Sequence, residues 1–276
     1  MRYLDPKNDL TFKRIFGEHP HLLLSFLNGV MPFESDDQYI VSLTYLPSEL
    51  VPVAPELKNS IVDVRCVDNF GRHFIIEIQL IFSDSFYSRV LFNASKIYSR
   101  QLIKKRAYID LTPVYSINII NDSMHFEDDS FYHHYTISNK NHPERKLNGM
   151  EFLFIELPKF KVVNFSQKKL LRLWLIFLSA IENKTEMIPE ELMEVPEIAE
   201  AVQLLKESSY TQAQLEQYDK YWDAIITQKS MIKDAELKGA YSNALETANN
   251  LKQMKVMSNV DIAKATGLPL DEVEKL

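Results

Sequence analysis

Apolar and polar positions along this chain change period several times, and each change marks an element. From Asp9 the apolar residues Phe12, Ile15 and Phe16, then Leu22 to Leu27, follow a helical spacing; Asp9 can cap the amides of Thr11 or Phe12, and Gly29 and Pro32 end the run. A short strand over 39–45 and a proline-broken connector over 47–55 come next. Two strands follow, 61–67 and 73–82, joined by a reversal at Asp68-Asn69-Phe70-Gly71. Helical period returns over 84–106, where Phe86, Val90, Ala94, Ile97 and Leu102 share a side. Residues 113–120 are apolar almost throughout, as a central strand is, and strands at 132–137 and 151–157 complete the sheet. Helix, hairpin, helix, strand is an α/β order, with helices covering a mixed sheet.

Beyond Ser166 the pattern is helical: 170–181, a segment starting near Pro189, 212–227, and 233–257. The last residues read as two short helices around Gly267-Leu268-Pro269, with Asn259 as the cap and Ile262, Leu268, Val273 and Leu276 as a miniature core. This resembles a helix-turn-helix, but its second helix is acidic, which favours a structural or interaction role over base reading. The expected division is therefore an α/β core over 1–165, a helical region over 166–257 and a tail over 258–276.

Charge and chemistry sharpen this picture. Asp63 and Glu77 each interrupt an apolar strand, and a carboxylate inside a sheet is costly unless a cation pairs with it. A shared Mg²⁺ or Mn²⁺ held by Asp63, Glu77 and the backbone carbonyl of Ile78 answers that cost and suits phosphodiester hydrolysis. The competing reading is a pair of strand acids partnered by Arg65 or Arg72. Gln79, on the face of Glu77, can orient a water or touch a phosphate but brings no positive charge. Lys96, Arg100 and Lys104 recur every fourth residue, with Gln101 and Arg89 as neighbours. That stripe is either a solvated face or a contact for backbone phosphates. Asp9 is a helix cap or a supporting acid beside the metal. His133 and His134 are adjacent in a strand and so face opposite ways.

With 31 basic and 38 acidic residues the net charge is -7, so any contact with DNA needs a local basic patch. The segment 182–207 carries eight Glu against two Lys, a solvated face that would itself repel DNA. Cys66 is the one cysteine, which excludes an intrachain disulfide and a cysteine-based zinc cluster. The first residues lack a signal-peptide pattern, and the longest apolar stretch, 170–181, is too short to span a bilayer and carries Arg172. A soluble cytoplasmic protein with no membrane contact is expected. Neither a phosphate-binding glycine loop nor a serine nucleophile motif is present.

Several ordered blocks carry a family resemblance. They are Asp5-Pro-Lys-Asn-Asp-Leu-Thr-Phe-Lys-Arg-Ile-Phe16, Ser60-Ile-Val-Asp-Val, Phe74-Ile-Ile-Glu-Ile-Gln79, Ala94-Ser-Lys-Ile-Tyr-Ser-Arg-Gln-Leu102, Leu111-Thr-Pro-Val-Tyr-Ser-Ile, Phe154-Ile-Glu-Leu-Pro-Lys159 and Ile262-Ala-Lys-Ala-Thr-Gly-Leu. Together they resemble the PD-(D/E)XK nuclease superfamily, and more closely the bacterial PD-(D/E)XK nuclease family transposases, related to the recombination-promoting nucleases. By that resemblance Asp63 is the first acid of the motif, Glu77 the second, and Gln79 stands where the superfamily usually has Lys and this group commonly has Gln. Val62 replaces the proline of the name, and Asp9 matches an acid supplied by the first helix in related enzymes.

The resemblance implies a restriction-endonuclease-like fold and Mg²⁺- or Mn²⁺-dependent hydrolysis of DNA, in recombination or movement of mobile elements. A homodimer would suit cutting both strands of a duplex. The alternative is a scaffold with weak or lost catalysis that serves as a DNA-binding or protein-interaction module.

Overall fold

The computed structural model describes residues 2–33, 35–50, 60–102, 107–124, 129–161, 169–183 and 185–276. The chain divides into a first unit, Met1–Tyr221, and a second, Trp222–Leu276.

The first unit opens with Asp9–Phe12 (α1). Its cap is Asn8, not Asp9: Asn8 has the extended backbone that a cap needs, and its side chain accepts from the Leu10 amide at 3.0 Å. Asp9 falls inside the first turn, where its charge suits the helix start, and pairs with Lys13 at 2.7 Å. The helix then widens into a π-helical turn, Lys13–Gly17, before Pro20–Val30 (α2). Upstream, Asp5 and Lys7 are both buried and pair at 2.9 Å. The Lys7 ammonium also donates to the carbonyls of Leu178 and Ile181, where a following helix ends. The phenol of Tyr218 accepts from the Asp5 amide at 2.9 Å. The opening Asp-Pro-Lys-Asn block thus anchors the N-terminus, which is why polar residues can be buried there.

Among the described residues eight strands follow: Leu43–Tyr45 (β1), Glu49–Leu50 (β2), Ser60–Ile61 (β3), Val64–Asp68 (β4), His73–Gln79 (β5), Val114–Ile120 (β6), Tyr132–Asn139 (β7) and His142–Glu156 (β8). Six form one sheet in the order β1-β4-β5-β6-β8-β7, and β2 and β3 pair separately. The β5, β6 and β8 ladders are parallel and the rest antiparallel, so the sheet is mixed. The expected reversal between β4 and β5 forms at Gly71, whose φ of 75° is one that side-chain-bearing residues rarely adopt. Asp68 holds the turn by accepting from the amides of Phe70 and Arg72, both at 2.9 Å, and from the Arg72 guanidinium at 2.6 Å.

One face of the sheet is covered by Ser85–Arg100 (α3), through a cluster of Ile75, Phe86, Val90, Ala94, Ile97, Val114 and Phe154. On the other side α2 packs with Lys169–Ala180 (α4) and the π-helical turn, where the rings of Phe16, Phe26 and Trp174 meet with centroids 5.0–5.9 Å apart. Each such fully buried ring stabilises the fold by about 1.5–3 kcal/mol over exposure. Pro196–Leu204 (α5) adds to this layer. The result is a mixed sheet flanked by helices, followed by a helical C-terminal region, as the residue pattern predicts.

One expectation fails in that region. Residues 212–227 and 233–257 form not two helices but one, Gln212–Met254 (α6). The intervening Gln228-Lys-Ser-Met-Ile232 contains neither Gly nor Pro, so nothing stops propagation. In the second unit α6 is followed by Asn259–Thr266 (α7) and Leu270–Lys275 (α8). Ser258, not Asn259, caps α7, because its hydroxyl reaches the Asp261 amide at 3.2 Å. Gly267, with φ of 74°, ends α7 as expected. Ile262, Leu268 and Val273 pack on Ala248 of α6, whereas Leu276 stays exposed. Among the described residues no helix is long and apolar enough to cross a membrane.

Candidate functional site

Asp63 does not lie within a strand. The first of the two predicted strands breaks at Val62-Asp63, because the chain changes partners there: β3 pairs with β2, and β4 pairs with β1 and β5. Val62 is buried and its amide donates to the Ser48 carbonyl at 3.1 Å. The break frees Asp63 to turn its carboxylate onto the edge of β5, where Oδ2 accepts from the Ile78 amide at 2.8 Å. The β4–β5 register, Val64 opposite Ile76, brings Asp63 level with Glu77 when carried one rung further. Burial raises the Asp63 carboxyl to about 6, and the Asp9 charge adds to the rise; the Ile78 amide, Lys13 and Arg89 oppose it.

Glu77 projects from the centre of β5 on the face covered by α3, since it alternates with Ile75 of that cluster. It is 5% exposed. Asn93, itself fully buried in α3, donates to Glu77 Oε1 at 3.0 Å and accepts from the Ser60 hydroxyl at 2.6 Å. Arg89, one turn earlier on the helix, places Nη2 3.5 Å from Glu77 Oε2 and 2.6 Å from Gln79 Oε1. The Gln79 amide donates to the Ile81 carbonyl at 2.5 Å, so both ends of this side chain are engaged. Burial still raises the Glu77 carboxyl above the usual range, against Asn93 and Arg89, with Asp63 adding to the rise.

The cation beside Glu77 is therefore Arg89, and Asp63 feels both Lys13 and Arg89. Arg72 belongs to the Asp68 turn, and Arg65 makes no ion pair among the described residues. Sequence reasoning noted Arg89 only as a neighbour of the basic stripe and passed over Asn93. Its signal was a polar residue on the apolar side of an amphipathic helix, between Val90 and Ile97. Tyr221 was missed as well: its phenol is raised by burial and by the charges of Asp9, Asp63 and Asp5, which places it near the same acids.

The remaining candidates scatter. Gln101 is turned inward, accepting from the Thr112 amide and hydroxyl at 2.9 and 2.8 Å and donating to its carbonyl at 2.9 Å, so it presents nothing to a phosphate. The Lys96 ammonium donates to the Leu50 carbonyl. Arg100 is half-buried in the last turn of α3, and Lys104 lies outside the described residues. Ile78 meets Asp63 through its amide. His133 and His134 diverge as expected, onto Glu156 and Glu151.

Among the described residues no three His, Cys, Asp or Glu side chains converge on one point. A divalent ion does not fit the acidic pair as these residues stand, because the space beside Glu77 and Gln79 is taken by the Arg89 guanidinium.

Neither the curated proteins nor the solved structures contain a match to the chain. One family model does match, that of the PD-(D/E)XK nuclease family transposases, over residues 6–235. That span takes in α1, the whole sheet, Asp63, Glu77 and Gln79 and much of α6, and the chain belongs to the PD-(D/E)XK nuclease family transposases.

Proposed function

We propose that this chain is a nuclease-family scaffold that holds nucleic acid, and that its cleavage is weak or absent while Arg89 neutralises the acidic pair. The carrying observation is the Arg89 contact with both Glu77 and Gln79, which gives the buried carboxylate a resident counter-charge. Supporting it, the residue at position 79 is neutral and its amide is committed to Ile81, so it cannot be swung freely toward a scissile phosphate.

Cleavage of supercoiled plasmid in Mg²⁺ or Mn²⁺, with Asp63→Ala and Glu77→Ala beside the wild type, tests this together with duplex binding by fluorescence anisotropy. Binding with no cutting is expected. Cutting that disappears in both variants and on chelation would sink it, and would establish the second reading, a metal-dependent endonuclease acting on DNA. The observation favouring that reading is the register that brings Asp63 level with Glu77, with Asp63 raised to about 6. The carbonyl of Ile78 would be its third ligand.

A further inference from the structure

Two half-buried arginines, Arg65 and Arg100, stand without a counter-charge among the described residues. Arg65 stands opposite Ile75 in the β4–β5 ladder, so its side chain leaves the sheet on the face that α3 covers. Ile75 packs there with Ala94 and Ile97, one turn before Arg100. Arg65 Nε is buried with no hydrogen-bond acceptor. Among the described residues neither Arg65 nor Arg100 meets a carboxylate, an acceptor for its side chain or an aromatic ring. Arg65, beside Ile75, and Arg100, one turn beyond Ile97, thus stand at the same end of the face that α3 covers.

A cation at the end of a helix is ordinary, and that explains where Arg100 sits. It does not explain a second, half-buried arginine on the same face with an unmet Nε, because like charges shielded from water repel and unmet donors cost free energy. A tetrahedral oxyanion answers both: its oxygens accept the planar forks of two arginines at once.

We propose that Arg65 and Arg100, flanked by Lys96, form a binding site for a phosphate group. Two sources carry that chemistry, a phosphodiester of a nucleic-acid strand and a free phosphate or phosphomonoester. The strand deepens the function proposed above and rests on it. Along α3, Arg100 lies eleven residues from Arg89, about 16 Å at 1.5 Å per residue. A duplex lying parallel to the helix would advance about five nucleotides over that length at ~3.4 Å of its axis each, so one duplex could span this site and the acidic pair.

Two readouts on the full chain test the site. The first is the melting temperature with inorganic phosphate against chloride at equal ionic strength. The second is the salt dependence of binding to a short labelled DNA duplex, for wild type, Arg65→Gln/Arg100→Gln and, as a control, the exposed Lys238→Gln. Phosphate should raise the melting temperature of the wild type and of the control and leave the double variant unmoved. The slope of log K against log salt should fall by about 1 in the double variant alone.

Loss of the phosphate effect, with a duplex that the wild type does not bind or that both bind alike, supports the site with free phosphate as its source. That result bears against the nucleic-acid reading without touching the arginines. A phosphate effect that is absent from the wild type or equal in the double variant, with an unchanged salt slope, overturns the proposal. Should the double variant melt early without ligand, Arg100→Gln alone, at the helix end, carries the same comparison.

Discussion

Asn93 donates its side-chain amide to Glu77 Oε1 at 3.0 Å from a position in α3 that no solvent reaches. Its oxygen accepts from Ser60 at 2.6 Å, so one buried amide ties β3, α3 and β5 together where the acidic pair sits. Asn93→Leu keeps the volume and removes both bonds, leaving a buried carboxylate with one partner fewer. The expected loss of stability is about 1–3 kcal/mol. Because Glu77 then favours its protonated form still more, the loss should be larger at pH 8 than at pH 5. Urea denaturation at the two pH values checks this, and equal stability of variant and wild type would show the Asn93 bonds to be dispensable.

Asp63 gives the clearest pH signature. Its folded carboxyl is raised from 3.8 to about 6, so between those values the folded state binds more protons than the unfolded state, and stability falls as pH rises through that window. The span corresponds to about 3 kcal/mol at ~1.4 kcal/mol per pH unit. Asp63→Asn keeps an acceptor for the Ile78 amide and cannot ionise. It should match the wild type near pH 4 and be the more stable protein at pH 8. Melting curves across pH 4–8 in the presence of a chelator measure the difference, and parallel curves would contradict the burial argument.

The turn before β5 can be tested through its glycine. At Gly71, φ is 75°, and an added Cβ would lie 3.3 Å from Thr112 Cγ2. Gly71→Ala should cost about 1–2 kcal/mol from the left-handed backbone. Gly71→Asn should cost less, since Asn tolerates that region. Chemical denaturation of the two variants ranks them, and a harmless alanine would mean that the turn relaxes.

These cases show which features the residues announce. The β4–β5 reversal was legible because Asp68-Asn-Phe-Gly71 follows one apolar run and precedes another, and the central place of β6 because residues 114–120 are apolar almost without interruption. The break at Val62-Asp63 was not: Ile61 through Val67 reads as one strand, and only the separate pairing of β3 with β2 bends it. The long α6 was missed because a weakly amphipathic stretch, Gln228 to Ile232, reads as a gap although its residues all tolerate a helix. At the site, the sequence singled out Asp63, Glu77 and Gln79. The cation beside Glu77 could not be read, because Arg89 reaches it only through the packing of α3 on the sheet, and five other basic residues of the same helical segment looked equally able.

Arg89 is also where the two functional readings part. Its side chain is 48% exposed while that of Glu77 is 6% exposed, so the arginine can leave to water and the carboxylate cannot. Arg89→Ala should therefore leave Glu77 without its counter-charge, with Lys13 still acting on Asp63, and lower the stability of the metal-free protein at pH 8. A divalent ion could then take the vacated position, and Mn²⁺ at a hundredfold its dissociation constant would restore about 2.7 kcal/mol by mass action. The wild type, with its own cation in place, should respond far less. Thermal melting with and without Mn²⁺ for wild type, Arg89→Ala and Arg89→Ala/Glu77→Gln separates the cases, because the added Glu77 change should abolish the metal effect. If Mn²⁺ stabilises wild type and Arg89→Ala equally, Arg89 does not compete with metal, and the acidic pair regains its place as the centre of a metal-dependent nuclease.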